Sequence, residues 1–188
     1  MLFGLTATAL ALGPIPGDVV KHPFGGRAPV VETPTHAVQS GWDIQHYEIH
    51  ADFDLLNREV DTRIHITARS RKEAPGSLTL HANGPSIANI LVDDTAVEAS
   101  ISGQEVLVPM PDLAENAEAI VTVTSSASLG SGQGLGIHWD GTTLFSFHEP
   151  QGARLWLVTY DDPSDKATLE WHITVDESLV VATNGVHM

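Results

Sequence analysis

The sequence predicts an all-β domain, saddle-like or sandwich-like and built of antiparallel strands, with one short helical turn near residues 150–156. From residue 42 onward, apolar and polar side chains alternate with a period of two, which is typical of strands buried on one face. Short breaks containing Gly, Pro or Asp separate these segments, and no long stretch repeats apolar residues at helical spacing. The chain has 188 residues, of which 42% are hydrophobic, so it is long enough for one domain with a buried core.

The first two strands are predicted to form a long hairpin, residues 44–53 and 60–68, interrupted at residues 55–58. The more apolar face of the first strand should point inward, and it carries Gln45, Tyr47, Ile49, Ala51 and Phe53. The opposite face carries Ile44, His46, Glu48, His50 and Asp52. In the second strand, the alternating apolar set is Val60, Thr62, Ile64, Ile66 and Ala68.

Shorter strands complete the predicted domain. They are expected at residues 77–81, 88–92, 96–101, 105–108, 119–125, 168–175 and 179–183. The dipeptide Asp140-Gly141 separates residues 135–139 from residues 143–147, which is a strong signal for a hairpin turn. Pro150 stands at the first position of the predicted helical turn, where its missing N–H leaves no bond unmade.

The first 41 residues differ in composition from the rest. Residues 1–13 are apolar and small, like the hydrophobic part of a secretory signal, and predict a secreted or periplasmic protein. This segment is shorter than the ~20 residues that cross a bilayer, so no membrane span is expected. Residues 14–41 are rich in Pro and Gly and predict an extended arm or linker. The folded domain is therefore expected at residues 42–188.

Charge and Cys content exclude several classes of function. The formal net charge is −15, which argues against nucleic acid as a partner because such binding needs clustered Lys and Arg. The chain has no Cys, so neither a disulfide nor a thiolate nucleophile is available. It does contain 10 His residues. His46 and His50, with Glu48 between them, share one strand face, but a metal site needs three or four converging ligands, so no metal site is assigned.

Two segments resemble the aminopeptidase N family of zinc peptidases. One segment, near the start of the predicted fold, is His46-Tyr47-Glu48-Ile49-His50-Ala51-Asp52-Phe53-Asp54. The other combines Phe147-His148-Glu149-Pro150, Ala153-Arg154, Asp161-Asp162-Pro163 and Lys166-Ala167. In that family this region is the N-terminal β domain, which caps the catalytic domain. The resemblance therefore implies that fold for residues 42–188.

The resemblance implies a substrate-binding role for Glu149, whose family counterpart holds the free amino end of a peptide. A carboxylate suits an ammonium group because it forms a charge-assisted hydrogen bond. The alternative is that Glu149 merely stabilises the start of the helical turn. Phe147 and His148 are expected to shape the same cleft. Phe147 stands where the family usually has Gln; it would form an apolar pocket wall or, more simply, pack inward. His148 would line the cleft or lie on the surface at a strand end.

Two further residues of this segment are expected to be structural. Arg154 should pair with a carboxylate such as Asp161, and Trp156 should lie in the core.

No catalytic residue is assigned, because the sequence contains no His-Glu-x-x-His motif. By resemblance, one zinc ion and the general base belong to a catalytic domain missing from this sequence, and no cofactor is expected in the chain itself. The implied partners are a peptide amino terminus and that catalytic domain or another protein. The alternative function is a free-standing, non-catalytic β module that binds peptides or a protein partner.

Overall fold

The computed structural model describes residues 3–9, 41–132 and 134–187, with backbone alone for residues 3–9 and His187. Within these residues the strands are β1 (Phe3–Ala9), β2 (Trp42–Asp54), β3 (Glu59–Ser70), β4 (Leu78–His81), β5 (Ser86–Val92), β6 (Thr95–Ala96), β7 (Ser100–Ser102), β8 (Glu105–Val108), β9 (Glu118–Ser128), β10 (Gly136–Trp139), β11 (Leu144–Phe147), β12 (Thr168–Val175) and β13 (Val186–His187). A 3-10 helix covers Ala153–Leu155, inside the predicted helical turn. The all-β prediction is confirmed.

Three sheets make up the described fold. The main sheet has the strand order β13-β1-β12-β2-β3-β9-β5-β6, and smaller sheets have the orders β4-β8-β7 and β10-β11. Every described strand pair is antiparallel except β2 with β12, which run parallel. The sheet is therefore mixed, a detail that the period-two pattern did not predict. Most of the predicted arm, residues 14–40, lies outside the described residues, whereas residues 3–9 pair with β12.

The hairpin of β2 and β3 follows the predicted alternation, with one correction. The register between the two strands shifts between Ile44 and His46, which marks a β-bulge at Gln45. An extra residue reverses the facing of every side chain before it. Ile44, predicted to point outward, is consequently only 1% exposed, on the same side of the sheet as Ile49. On β3 the predicted inward set is buried throughout.

One apolar core joins the main sheet to the three-stranded sheet. It includes Trp42 and Ile64 from the main sheet, Leu80 and Val108 from the smaller sheet, and Trp156 after the 3-10 helix. Burying each aliphatic side chain of this kind contributes about 1.5–3 kcal/mol. The prediction that Trp156 lies in the core is confirmed.

Two strand predictions differ from the structure. The segment 96–101 is divided between the end of β6 and the start of β7. The segment 179–183 is not a strand: Val180 is 95% exposed, and the chain turns just before it, where the Leu179 N–H donates to the Asp176 carbonyl. Hydrophobic residues without a neighbouring strand do not form a ladder, so short alternation alone was misleading here.

No helix among the described residues is long and apolar enough to cross a membrane.

Candidate functional site

A rigid hairpin leads into the segment that carries Glu149. Strands β10 and β11 pair residue by residue from Gly136 with Phe147 to Trp139 with Leu144. The turn between them is closed by Asp140, whose Oδ1 accepts the backbone N–H groups of Thr142 at 2.8 Å and Thr143 at 2.7 Å. These hydrogen bonds lower the pKa of the Asp140 carboxyl. The predicted Asp-Gly hairpin is therefore present, and the hydrogen bonds of Asp140 stabilise its turn.

Glu149 lies in the tight loop that follows this hairpin. The Glu149–Pro150 peptide bond is cis, and the Gly152 N–H donates to the His148 carbonyl over 2.7 Å, which closes the loop around Glu149. The Glu149 side chain is exposed. Among the residues that the structure describes, no hydrogen bond or ion pair engages its carboxylate. The loop thus presents the Glu149 carboxylate to solvent.

His148 is held away from the exposed side of this loop. Its Nε2 accepts a hydrogen bond from the Trp156 indole N–H at 2.8 Å, and the two ring centroids lie 5.9 Å apart. Burial lowers the pKa of the His148 imidazole, so the ring is neutral at pH 7. His148 therefore fixes the loop to the core, and its Nε2 is already engaged.

Phe147 lies outside the core. Its side chain is 51% exposed at the end of β11, so the expectation that it packs inward is wrong. Phe147 is the last residue of β11, and the chain turns into the loop directly after it, so the ring stays at the edge of the fold. Phe147 and Glu149 are thus the exposed members of the predicted substrate-binding set, and His148 lies half-buried between them.

Arg154 and Asp161 form the predicted ion pair. The Arg154 Nε donates to Asp161 Oδ2 over 2.9 Å, and both side chains are 11% exposed. A second guanidinium nitrogen donates to the Asp161 carbonyl at 2.6 Å, and a third to Gln104 Oε1 at 3.1 Å. The five donors of Arg allow such a multiple contact. This pair fixes the 3-10 helix to the segment that follows it.

The last part of the family-like segment is tied to β2. The Tyr47 hydroxyl accepts the backbone N–H of Tyr160 at 3.1 Å, and Asp165 Oδ2 accepts the backbone N–H of Ile44 at 3.2 Å. Burial raises the pKa of both side chains, Tyr47 and Asp165. The two family-like segments are therefore held together, for example by Tyr47 and Tyr160, which lie 113 positions apart in the sequence.

A second cluster of polar residues lies on the outer face of the main sheet. Ligand-capable atoms of Glu48, His50 and His172 all lie within 4.8 Å of one another. Sequence reasoning placed Glu48 and His50 on one strand face with His46, but it did not place His172 beside them. Its position beside them depends on the parallel pairing of β12 with β2, for which the sequence carries no local signal.

Residues 44–188 match the protein family described as the peptidase M1 N-terminal domain. The chain belongs to this family. The resemblance found in the sequence is thereby confirmed for the part of the chain that carries it. No curated protein matched the sequence.

Solved structures of M1 peptidases share the fold of this M1 N-terminal domain. The M1 zinc metallopeptidase of Deinococcus radiodurans is 25% identical, with a TM-score of 0.63 over 72% of this chain and 32% of that one. A mutant of that enzyme bound to a Tyr-Ser-Ala substrate is 21% identical, with a TM-score of 0.62 over 71% and 32% of the two chains. A two-domain M1 zinc metallopeptidase mutant bound to L-arginine is 23% identical, with a TM-score of 0.65 over 73% and 33%.

The present chain spans about a third of the length of these structures. It corresponds to their N-terminal β domain, and the catalytic domain is not in these 188 residues. The His-Glu-x-x-His pattern does not occur in these 188 residues.

Proposed function

We propose that this domain binds the free amino end of a peptide for an M1 zinc metallopeptidase, with Glu149 as the anchor. Catalysis itself would belong to a catalytic domain that lies outside these 188 residues. That domain would supply the zinc ion and the general base. The β domain would then set the distance between the peptide's amino end and the scissile bond, which is a contribution to catalysis through positioning.

The observation that supports this proposal is the exposed carboxylate of Glu149, which has no partner among the described residues, on a loop held from both sides. On one side His148 bonds to Trp156, and on the other Arg154 bonds to Asp161. A preorganised carboxylate loses little entropy when it meets an ammonium group. The alternative that Glu149 only stabilises the helical turn has less support, because the turn is a three-residue 3-10 helix whose preceding residue is Gly152.

The test is hydrolysis of an aminoacyl-anilide by an enzyme form that joins this domain to its catalytic domain. Glu149→Gln keeps the size of the side chain and removes its charge. Since hydrogen bonds to charged groups are worth about 1.5–3 kcal/mol, we expect kcat/KM to fall by roughly 10- to 100-fold. Competition by free-amine peptides should weaken in parallel, whereas competition by N-acetylated peptides should not change.

Glu177→Gln provides the matched control, because Glu177 is also an exposed acid of this domain, located after β12. Its kinetics should equal those of the wild type. Equal kinetics for wild type and Glu149→Gln would remove Glu149 from its proposed role.

A second candidate function is a free-standing module that binds peptides without catalysis. The exposed ring of Phe147, with exposed Leu135 just before the paired strand, favours it by giving the hairpin an apolar surface. This module would bind peptides as the isolated chain. NMR titration of the 188-residue chain with a tripeptide and its N-acetylated form separates the two candidates: equal saturable binding of both forms supports the module, whereas binding of the free-amine form alone supports the Glu149 proposal.

Export to the periplasm or the cell exterior is a further part of the proposal, resting on the apolar residues 1–13. Fractionation of cells that express the chain with its own first residues tests it, because an exported chain will be recovered outside the cytoplasmic fraction.

A further inference from the structure

The parallel pairing of β2 and β12 creates a two-by-two array of side chains on the outer face of the main sheet. Glu48 lies opposite Glu170 in the register, and His50 lies opposite His172. Side chains two residues apart on a strand share a face, so all four project to the same side. The buried neighbours Ile49 and Ala51 alternate with them and point to the core. All four polar side chains are partly exposed, while the Nε2 atom of His172 is itself covered by its neighbours.

The ligand atoms of three members of the array, Glu48, His50 and His172, all lie within 4.8 Å of one another. Nε2 of His50 lies 2.8 Å from Oε1 of Glu48, and Nε2 of His172 lies 3.5 Å from the same oxygen. Nε2 of His172 also lies 3.0 Å from Oε1 of Glu170. The two imidazoles are stacked, with centroids 4.1 Å apart and planes 7° from parallel. Nε2 of both rings therefore lies close to the same carboxylate oxygen, Oε1 of Glu48.

We propose that Glu48, His50 and His172 bind a divalent transition-metal ion. Two imidazole nitrogens and one carboxylate oxygen form a three-ligand donor set that suits zinc, with the fourth position left to water. The proposal is independent of the peptide-binding function, since it uses other residues on another part of the domain.

The spacing of the ligand atoms fits a tetrahedral ion. Zinc bonds to His nitrogen and carboxylate oxygen of about 2.0–2.1 Å imply ligand atoms about 3.3 Å apart at the corners of a tetrahedron. The separations of 2.8 and 3.5 Å between Glu48 Oε1 and the two imidazole nitrogens bracket this value.

Two features of the surroundings favour an ion at this place. Paired carboxylates directly opposite each other repel, and the chain as a whole carries a net charge of −15, so a bound cation relieves local repulsion. His65, on β3, contacts the ring of His50 edge-on at a centroid distance of 5.9 Å, and its Nδ1 lies 3.0 Å from Thr122 Oγ1. His65 is fixed by Thr122 and therefore restricts how the His50 ring can turn, as outer-shell residues do at metal sites.

Isothermal titration of the untagged 188-residue chain with zinc chloride tests the proposal. We expect one ion per chain. His50→Gln and His172→Gln should each weaken binding by more than tenfold, because loss of a ligand costs at least as much as the roughly 10–100-fold that follows loss of an outer-shell partner. His46→Gln is the matched control: His46 lies on the same strand and bonds to Thr168 instead. Its zinc affinity should equal that of the wild type.

NMR of the imidazole nitrogens gives a second readout that does not depend on any variant. Zinc should shift the Nε2 signals of His50 and His172 and leave those of His46 and His81 in place. Absence of saturable binding, or an equal loss of affinity in His46→Gln and His50→Gln, would overturn the proposal and leave a hydrogen-bonded His–Glu cluster on the sheet.

Discussion

The indole N–H of Trp156 donates to Nε2 of His148 across 2.8 Å, directly before the exposed Glu149. An atom that accepts this bond carries no proton, so the imidazole is the neutral tautomer with its hydrogen on Nδ1. Trp156 is buried, and the bond therefore connects the core to the loop that presents the carboxylate. The position of Glu149 depends on the protonation state of its neighbour.

This relationship predicts that the domain loses stability as the pH falls. Burial lowers the pKa of His148 in the folded state below its ordinary value near 6.5, so the unfolded chain binds the proton more readily. The stabilisation is complete above pH 6.5 and is lost as the pH falls through the folded pKa. His81, whose pKa burial also lowers, acts in the same sense, whereas Asp165, whose pKa burial raises, acts in the opposite one.

Urea unfolding of the wild type and His148→Gln at several pH values checks this prediction. The variant should lose less free energy of unfolding than the wild type between pH 7 and pH 5. His46→Gln, which leaves the loop intact, should show the full wild-type loss. An identical pH dependence in wild type and His148→Gln would contradict it.

Gly152→Ala should displace the Glu149 loop. A Cβ atom added to Gly152 would lie 2.5 Å from the Phe147 carbonyl oxygen and 2.8 Å from the His148 Cα, and these backbone atoms cannot rotate away. Overpacking of this kind costs about 1–3 kcal/mol, measurable by urea unfolding. Gly132→Ala, where the added atom meets nothing within 4 Å, should change the free energy of unfolding little. Equal stability of the two variants would show that the loop is less constrained than the contacts indicate.

Arg154→Lys should destabilise the domain although the charge is kept. Lys cannot contact the Asp161 carboxylate, the Asp161 carbonyl and Gln104 together, so buried acceptors lose their donors. We expect a loss of about 1–3 kcal/mol in thermal or urea unfolding. Arg69→Lys is the control, because Arg69 and Glu118 form an ion pair with both side chains more than 40% exposed, worth at most about 1 kcal/mol. A loss in Arg154→Lys no larger than in Arg69→Lys would argue against the buried pair.

Tyr47→Phe should remove one specific hydrogen bond, the one that the backbone N–H of Tyr160 donates to the Tyr47 hydroxyl. The Tyr47 hydroxyl is the acceptor for the Tyr160 N–H, and its removal leaves that buried donor without it, at a cost of about 1–3 kcal/mol. Hydrogen exchange at the Tyr160 amide should accelerate more than at Thr159, whose N–H donates to the His81 carbonyl and not to Tyr47. Equal acceleration at both amides would indicate global loosening and not loss of this contact.

Local pattern predicted the parts of the fold that depend on neighbouring residues. The alternation of β3 is correct throughout because one face of that strand is buried along its whole length. The Asp140 turn and the Arg154–Asp161 pair are likewise local, with partners at most seven positions apart. The outward placement of Ile44 failed because a one-residue bulge leaves no mark in the hydrophobic pattern.

The candidate site residues likewise divide into those that local sequence predicts and those that depend on the arrangement of distant strands. Glu149 was identified because its motif is contiguous in the sequence. His172 was missed as a neighbour of Glu48 and His50, since strand order in a sheet is decided by packing of the whole domain and not by either strand alone. The exposure of Phe147 was also missed, because the sequence pattern of an aromatic residue at a strand end is the same whether or not other residues cover its ring.

The parallel contact between β2 and β12 also constrains how this domain is made. Thr168 and His46 bond across 122 positions, so one edge of β2 has no partner until most of the domain has left the ribosome. Contacts between residues so far apart in the sequence slow folding. Until β12 has been synthesised, the unpaired edge of β2 can pair with another nascent chain. The yield of correctly folded protein is therefore expected to depend on synthesis rate and chaperone supply as well as on final stability.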